Sequence, residues 1–431
     1  MKKLILLLCS FAFILSGCQS NDSSAEEKPV TVLYSSMADF QKDYGFVLDK
    51  YKNINVIEFA PEIGNGIWNA MSFVNSADKD WDAERYMELV KKTKPDILFF
   101  PSAIYTSLLN ENMLVDLSPY ADQERLSGIN PDIVQSIKAM GDGGLYAMSD
   151  GITSQALFYN KDVFKQLGVT EPTDYMSWEN LLDLASRFPS REGVTGLYLP
   201  YYDAADLLLS IGKTEDLKWY DAVHRQALFE SPAWEAIIEK VVGLYGSNAK
   251  QTFSGDLSQA FRDGKIAMTL NTYAFMKELN GSSQKSNWGI VTEPVNPNDQ
   301  LSRKTMSFQY LNGINAASGE MEESLDVWSY INSASAAKIK NNAPTTLFIV
   351  PVRDALMADP DNRNVKAFST LKPVFPQYAT AIPRPVEVAA HNAINQILNQ
   401  AISGQISVKE IRRKLQEDVT NAIQTTLQQT R

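Results

Sequence analysis

The sequence predicts an α/β chain folded as two lobes, and three observations lead to that class. A β-branched run at Val30–Tyr34, a one-sided helix from Asp39 to about Tyr51 and a second strand at Ile54–Phe59 follow one another in β-α-β order. That order favours a parallel sheet with right-handed crossovers. The 431 residues are ample for two domains. Midway along the first half, apolar strands at Leu145–Met148 and Ala156–Tyr159 flank a polar break, Ser149-Asp150-Gly151. Such a break, with long stretches of chain on both sides, reads as a crossing between lobes rather than a surface hairpin.

The chain opens with Lys2 and Lys3, then the apolar run Leu4–Leu15, closed by Leu15-Ser16-Gly17-Cys18. A basic start, a short apolar stretch and small residues before the cut describe a secretory signal. The run is short of the ~20 apolar residues a membrane-spanning helix needs, and no other segment is long and apolar enough to span a bilayer. Leu-Ser-Gly-Cys resembles the bacterial lipobox, which implies cleavage before Cys18 and acylation of its sulfur and new amino terminus. Residues 1–17 are therefore expected to be a signal peptide and 18–29 a lipidated tether, QSNDSSAEEK being polar, turn-rich and without apolar period. Cys9 leaves with the signal, so no disulfide or thiolate metal site is expected. Removal of Lys2 and Lys3 takes the net charge from −11 to −13. So acidic a surface argues against nucleic acid and against charge-driven adhesion to anionic lipid.

In the first predicted helix Phe40, Tyr44, Val47, Leu48 and Tyr51 share one face. Pro61–Trp81 is irregular. A helix at Asp82–Lys92, a strand at Ile97–Phe100 and a helix at Ser102–Asn110 follow. A Gly-rich turn (Gly141, Gly143, Gly144) precedes the polar break. After it Asn160 is placed to cap a helix Lys161–Gln166, and Gly168 to end it in left-handed conformation. Ser177 starts the next helix, Trp178–Arg187, and Gly196–Leu199 is a strand ending at Pro200-Tyr201-Tyr202-Asp203. Helices are predicted at Ala204–Ile211, Pro232–Tyr245, Gly255–Arg262, Tyr273–Leu279, Glu320–Ser333, Val386–Gly404 and Val408–Leu427. Strands are predicted at Lys265–Asn271, Trp288–Val291, Tyr310–Ala316 and Phe348–Val350, with a Pro-rich path from Pro373 to Pro385.

The chemistry of most enzyme classes is missing from the sequence. The two histidines, His224 and His391, lack His, Cys or carboxylate neighbours at metal-ligand spacing and are read as surface or helix-end residues. Gly-x-Ser-x-Gly, phosphate-loop and dinucleotide patterns are absent, so no cofactor is expected. Ser335-Ala336-Ala337-Lys338 matches Ser-x-x-Lys without its companion motifs. Among the many acids, Asp150 and Asp203 are the one pair considered for glycoside hydrolysis.

Five segments, taken together, resemble the extracellular solute-binding proteins of ABC importers, family 1, the maltose-binding-protein-like group. They are KPDILFFPSAIYTSLLNENMLVDLSPY (Lys94–Tyr120), ALFYNKDVFKQLGV (Ala156–Val169), SWENLLDLASRF, FRDGKIAMTLN and LNGINAAS, in the family's order and approximate spacing. The resemblance implies a two-lobed periplasmic-binding-protein type II fold, each lobe a mostly parallel sheet flanked by helices, closing on a ligand in the cleft between them. Mapped onto this chain it puts residues 30–148 and 271–317 in the first lobe and 149–270 and 318–431 in the second. The crossings fall near 149–153, 269–271 and 316–319. The family departs here in three places. Thr272, Tyr273 and Ala274 replace its usual Gly and Trp, Phe308-Gln309-Tyr310-Leu311 replaces a Gly-rich turn, and Pro61–Trp81 is unusual.

Ligands of open α/β sheets sit outside the carboxyl ends of the strands. The candidates there are Ser35, Ser36 and Met37; Ser102; Ser149 and Asp150; Tyr201, Tyr202 and Asp203; Asn271 and Tyr273; Phe308, Gln309 and Tyr310; and Arg384. Aromatic faces would stack on a sugar ring, with carboxylates and amides bonding its hydroxyls. The function implied is a monomeric receptor, lipid-anchored at Cys18, that hands a small solute, expected to be a carbohydrate, to ABC permease subunits. The alternatives are a surface glycoside hydrolase on the same scaffold and a sensory lipoprotein partnering a receptor kinase.

Overall fold

The computed structural model describes residues 28–59, 83–121, 126–188, 193–200, 202–247, 255–283, 286–308, 310–342, 349–357, 361–374 and 382–429. The signal, Cys18 and the Pro61–Trp81 passage lie outside them.

Two four-stranded sheets organise the chain. In the first, Val30–Tyr34 runs parallel to Ile54–Glu58 on one side and to Ile97–Phe100 on the other, and Leu311–Ile314 is added antiparallel at the edge. Helix Met37–Lys50 makes the first crossover, with Phe40, Tyr44 and Val47 buried against the sheet. Tyr34 receives the rings of Phe40, Tyr44 and Phe99 edge-on at 5.1–5.7 Å. Such aromatic pairs prefer this geometry, and full burial of each large side chain contributes roughly 1.5–3 kcal/mol. In the second sheet Gln155–Asn160 lies antiparallel between Trp288–Thr292 and Ile266–Thr272, and Thr195–Tyr198 runs parallel to the latter. Its core takes Leu157, Met268, Leu270 and Val291 from the sheet, and Trp234, Ile394 and Leu398 from the helices. The last two helices, Arg384–Ile402 and Val408–Gln429, close it, the second burying Ile411, Leu415, Val419 and Ile423 at one-turn spacing. Among the described residues no helix is long and apolar enough to cross a membrane.

A third, small sheet joins the two units. Gly151–Thr153 forms its centre, flanked antiparallel by Ser307–Phe308 and Val350–Pro351, both of which meet Ile152. The chain thus passes between lobes three times, and the second and third passages each pair with the first.

The central strand Gly151–Thr153 lies within the expected first crossing, 149–153, whereas the other two expected segments lie elsewhere. Thr269–Asn271 lies inside the Ile266–Thr272 strand, with Thr269 opposite both Phe158 and Tyr198. Ala316–Gly319 is a turn stitched to the first sheet: Asn315 Nδ2 donates to the Pro95 carbonyl at 2.7 Å and Ser318 Oγ to Asp96 at 2.6 Å. The second passage instead runs from Thr292 to Leu311, and the third begins at Val350. The lobe assignment of 271–317 and 318–431 changes accordingly. Trp288–Thr292 belongs to the second sheet, while helix Met321–Ile331 packs on the first through Trp328 Nε1, which donates to the Asn312 carbonyl at 3.3 Å. Leu145–Met148 is also less regular than predicted. Only Met148 pairs, as an isolated bridge to Asn312.

Candidate functional site

On the first lobe, the chain leaves Val30–Tyr34 at Ser35 and Ser36. Both are committed to starting the next helix. Ser36 accepts from the Asp39 amide at 3.1 Å, and the hydroxyls of Ser35 and Ser36 donate to the Asp39 carboxylate at 3.0 and 2.7 Å. Met37 stands 42% exposed beside them, its amide donating to Glu58 at 2.8 Å. Ser102 is buried at the start of the short helix Ser102–Ile104 after the third strand. Tyr310 is buried, its ring tilted on Tyr34 at 5.6 Å, and Phe308 is buried in the joining sheet.

Asp150 lies at the entrance to the first crossing. Its carboxylate accepts from the Tyr44 hydroxyl at 2.8 Å and is ion-paired with Lys340, whose ammonium sits 3.7 Å from the Tyr44 ring centroid. Both side chains of the pair are 8% exposed. Burial pushes the Tyr44 hydroxyl well above its ordinary range, with Asp150 adding to the shift. Burial also lowers Lys340, against the opposing pull of Asp150. Ser149 is internal to the junction, donating to the carbonyls of Gly151 and Tyr310 at 2.6 and 2.9 Å.

On the second lobe, Tyr202 is buried and donates to Gln155 Oε1 at 2.9 Å, while its carbonyl accepts from Tyr245 at 3.0 Å. Asp203 caps helix Ala204–Thr214 in a reciprocal box with Asp206: each carboxylate accepts from the other's amide, at 2.8 and 3.0 Å. His391 Nε2 reaches both acids, 2.9 Å from Asp206 and 3.3 Å from Asp203. Burial works against the charged imidazole, but its bonds to the two carboxylates outweigh that and hold His391 up at about 9. These three donor atoms lie within 4.8 Å of one another. An imidazolium between two carboxylates satisfies all of them, so the trio is an ion-pair clasp. Asn271 is buried, with Oδ1 accepting from the Thr272 amide at 2.8 Å and Nδ2 without a partner among the described residues. Tyr273 packs edge-on against Phe368 at 5.6 Å, with Lys277 5.4 Å from its ring centroid.

Tyr201 and Gln309 lie outside the described residues. Arg384 is the first residue of helix Arg384–Ile402. Among the described residues Asp150 and Asp203 share no partner; one carboxylate is turned to Lys340 and Tyr44, the other to a helix start and His391. The geometry therefore does not assemble them into an acid–base pair. His391, read from sequence as a surface or helix-end residue, is instead largely enclosed, its side chain 11% exposed.

Sequence reasoning missed Tyr44, Lys340 and the buried pair Glu293–Arg303 in the second passage. Arg303 Nε is 2.8 Å from Glu293, the side chains 1% and 3% exposed. Thr305 donates to Glu293 at 2.6 Å, and Arg303 donates to the Phe368 and Ala367 carbonyls at 2.9 and 3.1 Å and to Ser154. Burial raises Glu293 and lowers Arg303. The available signal was a lone carboxylate directly after the buried strand Trp288–Thr292.

Two α/β units joined by three passages, two of them paired with the central one, define a two-lobed binding protein. Residues 71–370 match a family described as bacterial extracellular solute-binding protein, and the chain belongs to that family. Its fold is similar to that of maltose-bound MalE3 of T. maritima, with 17% identity, 91% of this chain and 98% of that chain covered and a TM-score of 0.58. It is similar also to the GacH receptor of Streptomyces glaucescens, solved unliganded and with acarbose, at 22% identity, 92% and 98% coverage and a TM-score of 0.57. A third is the sugar-binding protein MalE of Xanthomonas citri, at 13% identity, 92% and 98% coverage and a TM-score of 0.61.

Proposed function

We propose that the chain is the solute receptor of an ABC importer, anchored by acyl chains on Cys18 to the outer face of the cell membrane, and that its solute is a carbohydrate. The joining sheet carries this reading. Gly151–Thr153, Ser307–Phe308 and Val350–Pro351 are two or three residues long, and the last two each pair with the first. Short passages of this kind can absorb a change in lobe angle while each four-stranded sheet moves as a body. Binding by closure needs no nucleophile, in keeping with the motifs. Support for a carbohydrate comes from the similar structures, whose descriptions name maltose, acarbose and, for a solute-binding protein of Agrobacterium vitis, D-mannitol.

Tryptophan fluorescence and thermal shift of the purified chain against sugars, oligosaccharides, amino acids and polyamines test the reading. A saturable response confined to sugars is expected. A response only to amino acids or polyamines would overturn the carbohydrate assignment. No response to any of them, together with normal growth of a deletion strain on all, would overturn the receptor. Release of the protein from membranes by Cys18→Ser is the expected sign of the anchor.

A further inference from the structure

Helix Met37–Lys50 is continuous in sequence but broken in geometry. Tyr44 stands at φ −135° and ψ 24°, outside the helical region, so residues 37–43 and 45–50 form two half-helices. Bends of this kind have local causes; the helix holds no proline, and the break falls directly before Gly45. The two halves are fixed to different parts of the lobe. Residues 37–43 start at the strand-end face, where Ser36 accepts from the Asp39 amide at 3.1 Å and Glu58 from the Met37 amide at 2.8 Å. Residues 45–50 end against helix Met321–Ile331. There the Lys50 ammonium sits 4.0 Å from the Tyr330 ring centroid, and the hydroxyl of Tyr51 donates to Asp326 at 2.8 Å.

The residue at the break faces the lobe junction. Tyr44 donates to Asp150 at 2.8 Å, and the ammonium of Lys340, ion-paired with the same carboxylate, lies 3.7 Å from the Tyr44 ring centroid. The Asp150 carbonyl in turn accepts from the Val352 amide at 3.4 Å, so Asp150 meets the chain just after the third passage. Two contacts hold Tyr44 to the first half-helix and to the sheet beneath it. Its ring stacks on Phe40 at 5.4 Å, and its neighbour Asp43 accepts from the Tyr34 hydroxyl at 3.0 Å. Tyr44 is fully buried. A buried hydrogen bond is costly to leave unmade, so the hydroxyl follows Asp150 when the junction shifts. A few residues at element ends commonly absorb such a turn, and here the helix is already broken at the residue concerned.

We propose that residues 37–43 are a strap that couples the strand-end face to the first passage, with Tyr44 as its pivot. A shift of Asp150 moves the helix start at Ser36 and Met37, and a disturbance of that start is felt at Asp150. Such coupling is reciprocal by thermodynamic necessity. It concerns the frame of the strand-end face and holds whatever solute that face takes.

Hydrogen exchange of the whole chain, read by mass spectrometry, tests the strap. Tyr44→Phe keeps the ring and removes only the hydroxyl, and Asp150 keeps Lys340, so the variant should fold. Its amides at 37–43 and 149–153 should exchange roughly two- to tenfold faster, the range set by one net hydrogen bond. Those at 45–50 should not change, whereas a packing role alone would loosen both half-helices alike. Ser36→Ala removes the cap at the far end of the strap. It should speed exchange at 149–153 in the otherwise native chain and add nothing there in Tyr44→Phe. Two results would overturn the proposal. One is a Tyr44→Phe protein in which 37–43 is unchanged or loosens no more than 45–50. The other is a Ser36→Ala effect at 149–153 that is absent, or equal in both backgrounds.

Discussion

His391 is bonded through Nε2 to Asp206 at 2.9 Å across 185 positions of chain, and the same nitrogen lies 3.3 Å from Asp203. The bond ties helix Arg384–Ile402 to the start of helix Ala204–Thr214, directly after the Tyr202 segment. Its stability contribution follows from the direction of the shift. The imidazole is held at about 9, above its ordinary 6.5. The clasp is therefore fully stabilising below about pH 6.5 and is lost as pH rises through about 9. After allowance for solvent screening at this partly open pair, it is worth roughly 1–2 kcal/mol. His391→Gln is expected to lower the melting temperature at pH 6 by several degrees and by much less at pH 10. Melting curves from pH 5 to 10 that stay parallel for the two proteins would remove the clasp as a source of stability.

At the junction, Asp150 and Lys340 are ion-paired with both side chains 8% exposed. Removing one partner of such a pair leaves an uncompensated buried charge, at a cost of about 3–5 kcal/mol, whereas an apolar replacement of both is far cheaper. Asp150→Asn should thus destabilise more than the double change Asp150→Asn with Lys340→Met. Chemical denaturation of the four proteins in a double-mutant cycle measures the difference. Additive losses would show that the two groups do not stabilise each other.

Gly151 stands where the first and third passages come closest. A Cβ there would lie 2.2 Å from Ile349 Cδ1 and 2.7 Å from its Cβ. The nearer atom could swing away, but the Ile349 Cβ moves only with its backbone. Gly151→Ala is expected to force the passages apart and to cost about 1–3 kcal/mol, the usual range for overpacking. Ile349→Gly in the same chain, which removes that Cβ, should restore part of the loss, whereas Ile349→Ala, which keeps it, should restore less. A Gly151→Ala protein with unchanged melting temperature and unchanged small-angle scattering would show that the junction yields freely.

The sequence carried the local structure further than the lobe map. Helix starts were legible because their chemistry is local: Asn160 accepts from the Asp162 and Val163 amides, Ser177 from that of Asn180, and Gly168 ends its helix at φ 65°. The apolar strands were legible for the same reason. Sheet membership was not. Lys265–Asn271 and Trp288–Val291 are both buried apolar runs, and nothing in either says which sheet it pairs with. At the candidate site, Ser35, Ser36 and Asp203 were found at strand ends, but their oxygens serve the helix starts beside them. Tyr44 and Lys340 were invisible as partners of Asp150 because they come from 106 and 190 positions away. Long-range pairings of this sort leave no periodicity to read.

The second passage holds its own buried charge pair, Arg303 Nε at 2.8 Å from Glu293, with neither side chain more than 3% exposed. Glu293 ends the chain's run through the second sheet, whereas Arg303 bonds the carbonyls of Ala367 and Phe368 beyond the third passage. The pair therefore fastens two of the three crossings together on the second-lobe side. Burial disfavours the charged form of each partner, raising Glu293 and lowering Arg303; the partner's charge offsets it, helped at Glu293 by the Thr305 hydroxyl and Lys213. Glu293→Gln leaves a buried guanidinium facing an amide, and a loss of about 3–5 kcal/mol is expected. Arg303→Met leaves the Thr305 hydroxyl bonded to Glu293 at 2.6 Å but strands the carboxylate, so its loss should shrink at acidic pH as Glu293 becomes neutral. Glu293→Gln should show no such recovery. Melting temperatures of both variants from pH 4 to 8 decide it: equal pH dependence in the two would mean that the pair is not what joins the crossings.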